Sequence, residues 1–290
     1  MATRILQQVH SAILHLDPGE VRQQAERLLR VRLLSSTSAG YAAMEDFLAP
    51  AGVSRKKRGE IVGMLFRDGD AGGPEHYDLE IRSEDLGRRE GAFAFSPDDP
   101  GRMVAEVIGA RDELGLPLAR AFPPFQQPVS RRIILAVSRE NALFALATAL
   151  PNLAPGLVAL PWALGEAASD TAVLTANQIG MVFLLGAACD RPVGYREQKK
   201  EIASLIAGAF GWRALARELA GKIPLGAGVI PKAAIAFAGT WVAGVSLERL
   251  YRIGYGLTRQ ERRLAYGEAV AMGRQVASTL WNGLNRRGGG

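Results

Sequence analysis

The fold of this chain is constrained most by three long, nearly charge-free stretches in its second half, at 142–165, 171–189 and 223–246. A helix that spans a membrane needs about 20 mostly apolar residues, and each stretch approaches or exceeds that length. None is a clean span, because three prolines interrupt the first stretch and polar side chains interrupt the second. A helix that is apolar on every side is buried in protein or in lipid. What covers these helices is therefore the first question about the function of the chain.

Charge is distributed unevenly between the two halves. Residues 1–130 contain 16 Lys and Arg against 19 Asp and Glu, whereas residues 131–290 contain 19 against 10. Basic charge beside apolar helices is typical of a protein that meets an anionic membrane surface. Nucleic acid is not expected as a partner, because the basic residues are dispersed between apolar runs. The only cysteine, Cys189, excludes an intramolecular disulfide and fits a reducing compartment, and the first residues do not resemble a secretory signal.

The first half predicts a small α/β domain, because short apolar runs of strand type are separated by segments with helical spacing. Three prolines within 121–128 predict an extended linker, since proline opposes a continuing helix. The predicted helices are 3–15, 20–28, 41–48 and 101–113, and the predicted strands are 29–33, 61–66, 77–81 and 92–95. The predicted fold is therefore mixed, with an α/β domain at 1–120, the linker at 121–128, an all-α apolar domain at 129–270 and a helical or frayed tail at 271–290.

The apolar stretches have local interpretations. The prolines of 142–165 predict a broken or re-entrant segment, or two short helices that meet near Pro151. In 223–246 small residues recur four apart, as at Ala234/Ala238 and Thr240/Gly244, and this spacing lets helix backbones approach closely. Between the second and third stretches, 201–221 predicts a basic amphipathic helix, which suits a membrane surface, a docked partner or an ordinary core-facing role.

Eight side chains are candidates for membrane or partner contact. Asn177 and Gln178 are polar within an apolar run, and they predict either hydrogen bonds between helices, with Ser169 or Thr175 as candidate partners, or packing groups whose hydrogen bonds are satisfied. Lys232 follows a proline near a helix start, where its stem can extend to water. The complete set is Asn177, Gln178, Trp212, Arg213, Arg217, Lys222, Lys232 and Trp241.

Several segments of the second half resemble a known family. They are Arg139–Leu146, Leu174–Met181, Ile223–Lys232 and Ala238–Thr240, and the most specific parts read Thr-Ala-Asn-Gln-x-x-Met and Pro-x-Gly-x-Gly-x-x-Pro-Lys. Over roughly 129–255 they resemble the uncharacterised YcjF-like α-helical membrane domain family. The resemblance implies a bacterial helical domain associated with the inner membrane and often encoded with, or fused to, Era-like GTPase domains. It implies no catalytic residues, and this chain departs from the pattern because no complete GTPase domain precedes the helical part.

The turn after the first predicted strand occupies the place of a phosphate-binding loop. Such a loop needs Gly-x4-Gly-Lys-Ser/Thr, whose backbone N–H groups and lysine hold the phosphates. This chain has Ser35-Ser36-Thr37-Ser38-Ala39-Gly40 there, without the lysine and without the first glycine. The turn predicts either a degenerate GTPase-like module or an unrelated α/β fold.

No catalytic, cofactor or metal site is predicted. The three histidines, His10, His15 and His76, have no companion set of cysteines or carboxylates with the spacing of a zinc site. Cys189 lies in an apolar run without a nearby base, so it is not expected to act as a nucleophile. The basic run at 55–58 predicts a solvated loop before a strand, or a contact with phosphate or lipid headgroups.

These features predict a non-enzymatic, membrane-associated protein at the cytoplasmic face of the membrane. Its helical domain would contact or insert into the cytoplasmic leaflet, and its α/β domain would dock a partner, for which a GTPase is the leading candidate. Two alternatives stay open: a soluble, cytoplasmic nucleotide-binding regulator with a degenerate GTPase-like site, and an enzyme with a site between the domains. No cofactor is expected, and the sequence leaves the oligomeric state open.

Overall fold

The computed structural model describes residues 16–70, 73–149, 170–207 and 229–288. Over these residues the chain is mixed, with ten helices and one four-stranded sheet. The helices are α1 (Pro18–Ala25), α2 (Ser38–Leu48), α3 (Arg55–Val62), α4 (Pro100–Ala110), α5 (Gly115–Ala121), α6 (Pro123–Ala147), α7 (Asp170–Ala188), α8 (199–207), α9 (Val229–Ile253) and α10 (Arg259–Gly288). The strands are β1 (Val31–Leu34), β2 (Leu65–Arg67), β3 (Leu79–Ser83) and β4 (Ala92–Phe95). The helix predicted at 3–15 lies outside the described residues.

All four strands are parallel, in the order β2-β1-β3-β4. Parallel neighbours need a crossover connection, and α2 and α3 supply it between β1 and β2. The central strands carry the sheet's most buried side chains: Leu33 of β1 and Ile81 of β3 lie opposite each other and have no exposed surface. The expected mixed composition with a small sheet is therefore confirmed.

One predicted strand is partly wrong, because its first residues are helical. The strand expected at 61–66 begins only at Leu65, and Ile61 is buried on α3. The basic run at 55–58 forms the first turn of that helix rather than a loop. Ser54 explains why the helix begins there, since its hydroxyl accepts a hydrogen bond from the backbone N–H of Lys57 at 3.2 Å and so caps the helix.

The sequence predicts an extended linker at 121–128, but this proline-rich stretch is helical except at Phe122, whose backbone is extended. Pro123 and Pro124 open α6, where the missing N–H groups of proline cost nothing because the first turn has no partner for them. Phe122 and Phe125 have no exposed surface, and their ring centroids lie 6.4 Å apart. These two side chains anchor the start of the helix in the core. Pro128 lies inside the helix on its exposed side, where water can satisfy the carbonyl that loses its partner.

The chain divides into two compact units. The α/β unit comprises Glu20–Ser130 and Ala187–Arg191, and the helical unit comprises Met1–Gly19, Arg131–Gly186 and Pro192–Gly290. Each is described below by itself.

In the helical unit, α9 and α10 form a closely packed antiparallel pair. Phe237 of α9 and Ala277 of α10 are fully buried in one apolar cluster, and Val242 and Tyr266 share a second. Burial raises the pKa of the Tyr266 hydroxyl to about 12. Because α10 continues from Arg259 to Gly288 and buries Ala277, the segment predicted as a tail from 271 is part of this packing.

A short turn joins α9 to α10, and three local features stabilise its conformation. Gly254 follows α9 with φ +88°, a conformation that favours glycine at a helix end. Thr258 and Glu261 form a capping box at the start of α10: the N–H of Thr258 donates to Glu261 at 2.8 Å, and the N–H of Glu261 donates to the Thr258 hydroxyl at 3.2 Å. Arg249, near the end of α9, donates to Glu261 at 2.6 Å and ties the two helices together.

The closest approach of α9 and α10 predicts the effect of one methyl group. A Cβ atom on Gly273 would lie 2.8 Å from the backbone oxygen of Ala234, and backbone cannot move aside as a flexible side chain can. Gly273→Ala should therefore lower the free energy of unfolding by about 1–3 kcal/mol, as overpacking does. The matched control is Gly267→Ala on the exposed side of the same helix, where no described atom lies within 4 Å.

Alanine favours a helix over glycine by up to about 1 kcal/mol, so the control should be neutral or stabilising. Urea unfolding followed by circular dichroism measures both variants. Equal midpoints for the two would contradict the close approach at Gly273.

The capping box predicts a pH dependence of stability. Hydrogen bonds from Arg249 and from Thr258 lower the pKa of Glu261 from 4.5 to about 2. A carboxylate with a lowered pKa contributes stability above its unfolded value and loses that contribution as the pH falls towards 2. Glu261→Gln should therefore lower stability at pH 7 and flatten the loss between pH 4.5 and pH 2.

The urea midpoint across that pH window checks this expectation, with exposed Glu268→Gln on the same helix as the control. A Glu261→Gln profile with the slope of the wild type would show that this carboxylate is not held in the cap.

Candidate functional site

A buried polar cluster joins three helices of the helical unit. Asn141 of α6 is its centre and has no exposed surface. Its side-chain amide donates to the Thr240 hydroxyl of α9 at 2.8 Å, and its carbonyl oxygen accepts from the Asn177 amide of α7 at 2.8 Å. Gln178 of α7 donates to the same Thr240 hydroxyl at 3.1 Å. Thr240 in turn donates to the carbonyl oxygen of Ala236, one turn earlier in its own helix, at 3.0 Å.

The chemistry of this cluster suits a role in fixing the packing of helices. Its members are amides and a hydroxyl, which carry no charge and do not ionise near neutral pH. In an apolar surrounding such a network stabilises one arrangement of the helices, because any slip would leave buried polar groups without partners. The cluster therefore sets how α6, α7 and α9 meet.

The sequence correctly predicts that Asn177 and Gln178 form hydrogen bonds between helices. It does not identify their partners, because Asn177 bonds Asn141 and Gln178 bonds Thr240 rather than Ser169 or Thr175. Ser169 lies outside the described residues. Nothing in the spacing of a single sequence pairs residues that lie 36 and 62 positions apart.

A second buried amide, Gln198, is missed by the sequence analysis. Its amide nitrogen donates to the backbone oxygen of Val182 and to the Tyr251 hydroxyl, each at 2.8 Å, and its oxygen accepts from the N–H of Gly194 at 3.2 Å. Gly186 makes room for it, since a Cβ there would lie 2.3 Å from the Gln198 amide nitrogen. This side chain fixes the segment after α7 against α7 and α9.

The remaining candidates lie at different depths. Lys232 is exposed in the first turn of α9, as expected, and its ammonium lies 3.1 Å from the Thr148 hydroxyl. Trp241 is half-buried and stacks on Phe237, with ring centroids 5.9 Å apart, so it packs against the α9–α10 core. The other four candidates lie outside the described residues; they are Trp212, Arg213, Arg217 and Lys222.

The central parts of the long apolar helices contain only buried and half-buried side chains. No side chain from Ala172 to Cys189 is exposed, and none is from Ala233 to Tyr251. Small residues permit this packing: a Cβ on Gly244 would lie 2.7 Å from Ile134 of α6 and 3.0 Å from the sulfur of Met181 of α7. Among the described residues, Ile230–Ile253 is the single helical stretch long and apolar enough to cross a bilayer, while Ala172–Ala188 is apolar but shorter. The core helix of a soluble protein passes the same test of length and composition.

The turn after β1, in the α/β unit, is filled by its own side chains. The Thr37 hydroxyl accepts from the N–H of Gly40 at 3.0 Å, and the Ser35 hydroxyl accepts from the N–H of Thr37 at 3.2 Å. Two of the N–H groups that a phosphate-binding loop would offer are therefore already bonded. A Cβ at Gly40 would lie 2.1 Å from the Ser35 hydroxyl, which explains the glycine without a phosphate.

An acidic side chain lies beside this turn. The carboxyl ends of β1 and β3 are neighbours in the sheet, and Asp85, just after β3, accepts from the Ser36 hydroxyl at 2.7 Å. Hydrogen bonds from Ser83 and Ser36 lower the pKa of Asp85, which keeps the carboxylate charged. Ligands of open parallel sheets bind at such an edge, where the chain crosses to opposite sides. A fixed carboxylate there favours a cationic or hydroxyl-bearing group over a phosphate.

The basic run of α3 is only partly available to a ligand. The ammonium of Lys57 donates to the backbone oxygen of Arg120 and to Asp190, each at 2.8 Å, and so serves the core of the α/β unit. Arg55 and Lys56 are exposed. A contact of this run with phosphates or headgroups would therefore not include Lys57.

An open cleft of about 330 Å³ lies between α8 and α9 in the helical unit. Its floor is apolar and includes Val242 and Leu247, and its rim carries Lys200, Glu201 and Arg262. Over the described part of the chain, no three histidine, cysteine or carboxylate side chains come together as a metal site would require.

No protein-family model, curated protein or solved structure matches this chain.

The polar cluster predicts a large effect of a single truncation. Asn141→Ala removes the centre of the network, leaves the Asn177 amide without its acceptor and opens a cavity, so the free energy of unfolding should fall by about 2–4 kcal/mol. The control, Asn282→Ala on the exposed surface of α10, should change it by no more than about 0.5 kcal/mol. Chemical unfolding of both variants is the measurement.

A double-mutant cycle of Asn141→Ala with Asn177→Ala should give a coupling of about 0.5–3 kcal/mol. Additive effects would mean that the hydrogen bond between the two amides contributes no stability.

Proposed function

We propose that this chain is a non-enzymatic, membrane-associated protein whose helical unit contacts the cytoplasmic leaflet and whose α/β unit docks a protein partner, with a GTPase as the leading candidate. The observation that carries the proposal is the composition of α9, which has no charge from Ala233 to Leu247, between Lys232 and Glu248. A helix with charges only near its ends suits the boundary between water and an apolar phase. Three of the segments that resemble the YcjF-like family lie in described helices: Arg139–Leu146 in α6, Leu174–Met181 in α7 and Ala238–Thr240 in α9.

The protein cover of α7 favours contact over deep insertion of the whole unit. No side chain of α7 from Ala172 to Ala188 is exposed, so this helix does not need lipid to cover it. The interior polar cluster supports the same proposal, because amides and hydroxyls that bond across helices are the usual polar groups between membrane-associated helices. Its uncharged side chains offer no acid, base or nucleophile, which supports a role in binding rather than in catalysis.

Docking of a partner is assigned to the carboxyl edge of the sheet in the α/β unit. Ser36 and Asp85 lie there between the two central strands, where ligands of parallel sheets bind. The soluble, nucleotide-binding alternative is favoured by one feature, the start of α2 directly after β1. The self-bonded turn and the fixed carboxylate count against it.

The test is fractionation of cells that contain the full chain, followed by a high-salt wash and a carbonate wash of the membrane pellet. We expect the chain in the pellet, and release by salt alone would indicate a peripheral contact through basic residues. Recovery wholly in the soluble fraction would contradict the proposal. Calorimetry with GTP and ATP completes the test, because saturable binding that is lost in a Ser36/Thr37 double alanine variant would favour the regulator.

A further inference from the structure

Three large apolar side chains are exposed to solvent in and beside the turn between α9 and α10. Ile253, the last residue of α9, is 50% exposed, Tyr255 in the turn is 58% exposed, and Leu264 in the second turn of α10 is 65% exposed. Residues 252–264 are called the α9–α10 tip below. Large apolar side chains exposed together mark a surface that meets another apolar phase or a partner.

The same tip carries arginines without acidic partners. Arg249 and Arg252 are paired with Glu261 and Glu248, at 2.6 Å and 2.8 Å. Arg259, Arg262 and Arg263 are exposed and form no ion pair with any residue that the structure describes. The tip therefore presents three arginines together with three exposed apolar side chains; the arginines are Arg259, Arg262 and Arg263, and the apolar side chains are Ile253, Tyr255 and Leu264.

The shape of the tip is fixed before any partner arrives. Arg249 lies over the Tyr255 ring, 4.9 Å from its centroid, and also bonds Glu261 of the capping box. Gly254 fixes the direction of the chain as it leaves α9. Little conformational entropy is lost when a surface of this kind binds, because its backbone is already ordered.

We propose that the α9–α10 tip is a docking surface for an anionic lipid bilayer, in which the arginines bind headgroup phosphates and Ile253, Tyr255 and Leu264 enter the headgroup boundary. The inference rests on the proposed membrane association and names the surface that makes the contact. Cationic side chains gain affinity from anionic lipids, while tyrosine and aliphatic side chains are stable at the level of the headgroups.

A bilayer fits this surface better than a soluble polyanion does. Nucleic acid would be held by the arginines alone and would gain nothing from Ile253 and Leu264, since its phosphates are polar and its bases stack on aromatic faces. The ring of Tyr255 is already covered on one side by Arg249. An anionic membrane surface binds both aliphatic and basic side chains, and the tip exposes both kinds.

The experiment is co-sedimentation of the full chain with phosphatidylcholine vesicles that contain either no anionic lipid or 30% phosphatidylglycerol. We expect binding to the anionic vesicles only, weakened by 0.5 M NaCl because salt screens the arginines. Arg259→Gln/Arg263→Gln should weaken binding at least tenfold, because each arginine near the surface contributes about fivefold to the affinity. Ile253→Ser/Leu264→Ser should also weaken binding about tenfold or more, because serine does not gain the free energy that an apolar side chain gains when it moves from water into the headgroup boundary.

Matched controls come from exposed residues elsewhere in the chain. Arg131→Gln/Arg274→Gln removes the same charge from the helical unit, and Leu28→Ser/Val62→Ser removes two exposed apolar side chains from the α/β unit. Each should change binding less than threefold. Circular dichroism should give all four variants the wild-type thermal midpoint, since the substituted side chains are exposed or half-buried at most.

Three results with vesicles would overturn the inference: no binding by the wild type, equal losses in tip and control variants, or a loss confined to the arginine variant, which would indicate a soluble polyanion as the partner. Fractionation of cells that express the tip variants separates the two proposals. If the tip variants remain in the membrane pellet as the wild type does, the tip is not the surface that binds the membrane, although the chain is still membrane-associated.

Discussion

The hydrogen bonds of Asn141 hold three helices in one register, and the rest of the helical unit depends on this arrangement. Apolar side chains pack without direction, so a bundle made only of alanine, leucine and valine could slide or rotate at small cost. A buried amide removes that freedom, because each alternative arrangement leaves a donor or an acceptor without a partner. Gly244, one turn after Thr240, lets the backbones come close enough for these short polar groups to meet, since a Cβ there would lie 2.7 Å from Ile134 of α6 and 3.0 Å from Met181 of α7.

The α/β unit is organised by a different constraint, the burial of two central strands in a parallel sheet. Leu33 and Ile81 lie opposite each other on one buried face of the sheet, whereas Arg32 and Glu80 lie on the other face and are only half-buried. Parallel strands need crossovers that contain helices, and the parallel pairing places the carboxyl ends of β1 and β3 side by side at one edge. The polar residues at the edge then bond each other, and for this reason a turn at the position of a phosphate-binding loop is closed by Ser35 and Thr37.

Local signals predicted the elements well where one signal acted alone. The strand at 92–95 and the helix that ends at Leu48 follow directly from apolar spacing and from the polar residues before them. The prediction for 121–128 was wrong because proline has two opposite effects: it breaks a helix interior but suits a helix start. The burial of Phe122 and Phe125 decides between them. In the candidate site, Asn177 and Gln178 were identifiable as polar residues in an apolar helix. Their partners were not, because Asn141 and Thr240 are brought to them by tertiary packing alone.

The short turn between α9 and α10 has a consequence for the order of folding. Only residues 254–258 separate the two helices, so their contacts close a small loop and cost little chain entropy. The hydrogen bond between Asn141 and Thr240, by contrast, joins residues 99 positions apart. Local contacts form faster than distant ones, so the α9–α10 pair is expected to assemble while the Thr240 hydroxyl still faces water. Arrival of α6 and α7 would then expel that water, which makes closure of the polar cluster the late, committing step of folding in this unit.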